Sequence, residues 1–177
     1  RFRFLRQLLH TSRDLTARPL WNILSQQGVP VGIVNWSVTQ PASEVRGYQV
    51  SDEFERLAGS SVDLENTQSA WPREAVGVAA AAVVKPGVDP RGTRAIAGSD
   101  ASGLIAATCR SDRAYEEMAT DLERQYPSRF RAVRYRCLDA AGHYLLRYAV
   151  PNPFGDVSEE DVQRYNVALG GFYAAAD

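Results

Sequence analysis

The feature that most constrains this chain is the order helix, glycine, buried strand in LWNILSQQG followed by VPVGIVNW, residues 20–36. Leu20, Trp21, Ile23 and Leu24 supply the apolar face of a helix spaced over residues 15–27, with Pro19 suited to its first turn and Gly28 to its end. The next eight residues, 29–36, are rich in β-branched side chains and of strand length, which reads as a buried strand. Helix, glycine and hydrophobic strand in that order are half of an α/β unit, so the pattern predicts an α/β fold.

The rest of the chain extends this expectation. TQPASEVRG (39–47) is a loop punctuated by Pro41 and Gly47, YQVS is a short extended piece, and residues 52–58 read as a small helix. Residues 59–110 hold Pro72, Pro86 and Pro90 with several glycines and read as a cap or insertion of short helices and loops. In SDRAYEEMATDLERQY, Tyr115, Met118, Ala119, Leu122 and Tyr126 share one helical face, and Pro127 stops the helix. RFRAVRYRCLD then alternates, with Val133, Tyr135 and Cys137 on one side and Arg134 and Arg136 on the other, which predicts a strand with Asp139 at its C-terminal end. A last helix begins after Ser158, with Val162, Tyr165, Leu169, Phe172 and Tyr173 as its buried stripe and Gly170-Gly171 as a weak point. Residues 1–177 are expected to form a single partial domain, with 15–58 and 111–177 as α/β core and 59–110 as the insertion.

Composition removes several classes of function. Twenty basic residues oppose twenty-one acidic ones for a net charge of −1, so neither a nucleic-acid polymer nor an anionic membrane surface is an expected partner. Lys85 is the only lysine, and the cluster Arg1, Arg3 and Arg6 reads as solvated charge at an end. No apolar run reaches the roughly 18–20 residues that span a bilayer. Cys109 and Cys137 are too few for a disulfide framework or a four-thiolate zinc site and read as buried free thiols. The chain opens RFRFL without a methionine and stops at Asp177 inside an amphipathic helix, the expectation being an internal piece of a larger protein.

Chemistry concentrates in RCLDAAGHYLLRY (136–148), where one of the two histidines, His143, follows Asp139 by four residues. In open α/β sheets, ligands bind beyond the carboxyl ends of the strands, which is where Asp139 is predicted. Ala140, Ala141 and Gly142 would let the backbone turn tightly and return His143 to the same point. Carboxylate and imidazole are both zinc ligands, and two from one turn make half a site. The same spacing also suits an aspartate capping the next turn and a histidine satisfied in the core, and a lone D-x-x-x-H is a weak motif. His10, in LLHTSRD, has no ligand at useful spacing and reads as a surface or helix-end residue. No G-x-S-x-G, P-loop, C-x-x-C or H-E-x-x-H occurs.

Two long stretches, together with LWNILSQQG (20–28), resemble the alkaline phosphatase superfamily, and within it the type I phosphodiesterase/nucleotide pyrophosphatase-like proteins. VGIVNWSVTQPASEVRGYQVSDEF (31–54) is similar to the pattern N/G-W-W-x-T-x-P-A-E-x-V-x-G-x-x-V-S-D, matching it at Asn35, Trp36, Thr39, Pro41, Ala42, Val45, Gly47, Val50, Ser51 and Asp52. It departs at Ser37, at Gln40 and at Ser43-Glu44. Residues 134–177 resemble the family's strand, its D-x-x-x-H turn, an L-R-Y step and a helix ending in Y-x-x-x-D.

The resemblance implies a three-layer α/β/α core, two divalent metals, often zinc, and a Thr or Ser nucleophile acting on phosphoric esters. Carried over residue by residue, it makes Asp139 and His143 ligands of one metal and transfers no other ligand. Trp36, Thr39, Ser51 and Asp52 are then architectural or line a pocket wall. The family's nucleophile and first metal-binding aspartate precede the matched region, and a later S-D-H-G-type motif follows it. The expectation is a segment of a metal-dependent phosphodiesterase or phosphatase-like hydrolase, taking a small phosphate-ester substrate in the parent and inactive alone. The runner-up is a non-catalytic binding or scaffold domain of the same fold, and the third reading is an unrelated small α/β binding module.

Overall fold

The computed structural model describes residues 10–84, 99–149 and 157–174. Arg1, Arg3, Arg6, Lys85, Pro86, Pro90 and Asp177, singled out above, lie outside them. The chain divides into two compact units, Arg1–Val84 with Tyr115–Arg134, and Lys85–Ala114 with Tyr135–Asp177.

The first unit is built on a four-stranded mixed sheet. Its strands are β1 (Val31–Trp36), β2 (Gly47–Ser51), β3 (Ala70–Trp71) and β4 (Phe130–Val133), in the order β3-β2-β1-β4. β1 runs parallel to both β2 and β4, and β3 pairs antiparallel with β2. Central β1 is buried from Val31 through Asn35, in line with the buried strand read there, and packs on both faces.

Helix α1 (Leu20–Gln26) lies on one face, where Trp21, Val31, Ile33 and Val45 cluster with Leu24, Phe130 and Ala132 around them. Pro19 stands at its N-cap and not within the first turn, so α1 is shorter than the sequence pattern suggests. On the other face Val34, Tyr48 and Val50 meet Phe54 of α2 (Phe54–Ala58) and Ala75, Val76, Ala79 and Ala82 of α3 (Ala75–Val84). The same cluster takes Tyr115, Met118, Ala119 and Leu122 from α4 (Ser99–Gln125), the stripe read from the sequence. That helix begins well before Ser111, where the sequence pattern starts it.

Close approach between β1 and β2 depends on two glycines. A Cβ on Gly47, at φ +115°, would stand 2.1 Å from the carbonyl oxygen of Val31. One on Gly32 would stand 2.4 Å from the ring of its cross-strand partner Tyr48. Tyr48 fills that space and is fully buried.

In the second unit, α5 (Cys137–Ala149), α6 (Glu159–Tyr165) and α7 (Ala168–Ala174) pack around Ile105, Cys109, Cys137, Ala141, Leu145, Leu169 and Phe172. Ser158 caps α6, its hydroxyl accepting from the Asp161 N–H at 3.1 Å. The predicted last helix is divided at Asn166-Val167, and Tyr173, expected in its buried stripe, is exposed. Cys109 and Cys137 are joined as a disulfide and are not the free thiols expected from their number. Among the described residues no helix is long and apolar enough to cross a membrane.

Candidate functional site

The structure corrects the setting of Asp139. β4 ends at Val133, and helix begins at Cys137, so Asp139 sits in the first turn of α5 and not at the end of a strand. The cause is a distant side chain. Asp112, buried in α4, accepts the Arg136 N–H with both carboxylate oxygens at 2.8 Å and the Cys137 N–H at 2.6 Å. Those N–H groups would otherwise be orphan donors at a helix start, and Asp112 fixes the start there. Ala140, Ala141 and Gly142 are therefore helical, with no tight turn between the two candidate ligands.

Helical spacing still brings the pair together. Residues four apart share a helix face, and His143 Nε2 lies 3.5 Å from Asp139 Oδ1. The side chains are 75% and 72% exposed, so His143 is no core histidine. As an ion pair at that exposure the two contribute little to stability. As ligands they are open to an ion from solvent. Two donors on one tetrahedral zinc, with bonds of roughly 2.0–2.2 Å, stand about 3.3–3.6 Å apart, so the donor chemistry and spacing fit. Among the described residues no group of three or more His, Cys, Asp or Glu side chains gathers around a common point. His10 is exposed on the first unit, in keeping with its reading as a surface residue.

The residues of the 31–54 stretch form a second cluster, at the carboxyl edge of the parallel strands. The β1–β2 crossover, residues 37–46, contains no helix and is held by side chains instead. Asp52 accepts the N–H groups of Val38 at 2.8 Å and Thr39 at 3.1 Å. The buried Thr39 hydroxyl donates to the Trp36 carbonyl at 2.5 Å and accepts the Asp52 N–H at 3.1 Å. Thr39 and Asp52 thereby hold the loop closed on itself. Further along, Gln49 Oε1 accepts the Ser43 N–H at 3.0 Å and Gln40 Nε2 donates to the Thr67 carbonyl at 2.7 Å. Ser51 is fully buried, and its hydroxyl has no hydrogen-bond partner among the described residues.

Trp36 differs from its neighbours. Asn35, at φ 57°, forms a bulge at which the β1–β2 register shifts, and Trp36 emerges 42% exposed. Its ring meets that of Trp21 edge-on with centroids 6.0 Å apart. Asn35 itself is buried and donates from Nδ2 to the Arg134 carbonyl at 2.9 Å. Two residues at these positions escape sequence reading. Asp112 gives no local signal because its partners lie 24 and 25 residues away, and the sequence marks Arg134 only as a residue on the polar side of a strand. No family of known proteins, no characterised relative and no solved structure matches this chain.

Proposed function

We propose that this chain contributes to metal-dependent hydrolysis of phosphoric esters, with Asp139 and His143 as one ligand pair for a divalent ion, zinc suiting the donors best. The carrying observation is the open carboxylate–imidazole pair at 3.5 Å on one helix face. The likeness of 31–54 and 134–177 to the alkaline phosphatase superfamily supplies the reaction class and the expectation of that three-layer core. A divalent ion held there would supply positive charge to a phosphoryl oxygen. The chain's own part is to present oxygen and nitrogen from one rigid turn, with Asp139 in the first turn of α5, where a carboxylate is favoured. The resemblance transfers no nucleophile, so the 177 residues are expected to bind metal without turning over ester.

Titration of zinc against a chromophoric chelator tests the ligand role. The wild type should bind one ion per chain, and Asp139→Ala or His143→Ala should weaken binding at least about tenfold, or 1.4 kcal/mol, with far-UV dichroism unchanged. The activity test is hydrolysis of a chromogenic phosphodiester and monoester by the full-length protein, with and without chelator. Equal rates in wild type and Asp139→Ala would overturn the metal role. Metal binding without any turnover would favour the non-catalytic member of the same fold.

A further inference from the structure

The first unit carries a second feature independent of the metal reading. The order β3-β2-β1-β4 means that the chain leaves β1 toward β2 on one side and later returns to place β4 on the other. The carboxyl ends of β1 and β4 therefore flank a point where strand order reverses, the place at which open α/β sheets form a ligand crevice.

Two side chains with recognition chemistry meet that point on the same face. In β4, Phe130 and Ala132 face α1, and the ladder continues one residue further because the Arg134 N–H donates to the Val34 carbonyl at 3.1 Å. Alternation puts the Arg134 side chain on the α1 face. In β1 simple alternation would send Trp36 to the opposite face with Val34. The Asn35 bulge redirects it, and the Trp21 contact places its ring on the α1 side. Asn35 also pins the Arg134 carbonyl and so fixes the separation of the two strand ends.

The half-buried Arg134 guanidinium makes no hydrogen bond or ion pair with any described residue. The Trp36 ring is 42% exposed at the end of the neighbouring strand, and Leu20, 54% exposed, starts the α1 turn that also carries Trp21. A planar guanidinium takes a carboxylate or phosphate by paired hydrogen bonds, and an indole face takes a flat ring. We propose that this edge binds a planar organic anion, an aromatic ring bearing a carboxylate or a phosphate. Arg134 holds the anionic group, Trp36 stacks on the ring, and Asn35 is a positioning residue.

The test is tryptophan fluorescence of the full chain in chelator, so that no metal at Asp139 and His143 takes part. Trp21 is buried and Trp71 partly so, which leaves Trp36 as the most exposed reporter. Phenyl phosphate and benzoate are the probes, and the tighter of the two identifies the anionic group. Inorganic phosphate and benzyl alcohol should each bind at least about tenfold more weakly. Arg134→Gln should cost the same factor with native dichroism retained, and Arg134→Lys less, because charge survives without the fork. Binding followed by calorimetry should survive Trp36→Phe and fall about tenfold in Trp36→Leu, which decides the matter should Arg134→Gln fail to fold. No saturable signal up to about 10 mM probe, equal affinity for inorganic phosphate (an adventitious ion only), or indifference to both substitutions would overturn the proposal.

Discussion

Tyr48 shows how much one buried hydroxyl can settle. It lies over Gly32 with its oxygen 3.0 Å from Glu123 Oε2 and 3.3 Å from the Ala119 carbonyl. Burial, and then the Glu123 charge, push its ionisation far above the ordinary tyrosine range. Burial would raise Glu123 too, but hydrogen bonds from the Ser128 N–H and hydroxyl and from Tyr48 outweigh it and hold the carboxyl below its usual range. The signs are opposite and bracket a plateau. The tyrosine contribution is present below its unfolded value of about 10 and fades as pH rises above it; the glutamate contribution is present above about 4.3 and fades as pH falls below it. Tyr48→Phe should lower stability by about 1–2 kcal/mol near neutrality. It should also flatten the alkaline limb and shrink the acid one, as read by urea denaturation across pH. An unaltered alkaline limb would contradict this account of Tyr48.

At the scale of elements, β1, β2 and the buried stripe of α4 were legible because their periodicity answers to neighbours close in sequence or to a uniformly buried setting. The end of β4 was not. Val133, Tyr135 and Cys137 keep a two-residue alternation, yet Tyr135 is exposed and Cys137 is helical. What ends the strand pattern is the Asp112 carboxylate, and a partner so far along the chain leaves no mark on local spacing. The Asp139–His143 pair was legible as a pair for a related reason: four residues fit one helix face as readily as a tight turn. Spacing therefore gave the contact and misplaced its setting. Asp112→Ala should leave the first N–H groups of α5 unpaired and cost about 1–2 kcal/mol. Hydrogen exchange should then quicken at Arg136 and Cys137 while β1 amides keep their protection. Asp112→Asn, which retains one acceptor oxygen, should lose less.

Across the whole molecule, the two units depend on different cross-links. The sheet unit is held by β1 and its two glycine-dependent approaches. The helical unit carries the Cys109–Cys137 disulfide, whose two ends are 28 positions apart in sequence. Reduction should lower the stability of the helical unit by about 3–4 kcal/mol, the loop-closure effect for a span of that size. Exchange in α5 and α7 should rise with reductant while β1 exchange stays constant, and free-thiol titration of the denatured, unreduced chain should find none. One consequence belongs to β4, which among the described residues pairs only with β1. An unpaired strand edge is a template on which another molecule can continue the sheet, the first step toward fibres. Here the edge reads Arg129, Phe130, Arg131, Ala132, Val133, Arg134. A second copy laid in register would bring these cations into repeating rows, so the arginines that frame the strand also act as gatekeepers against runaway stacking.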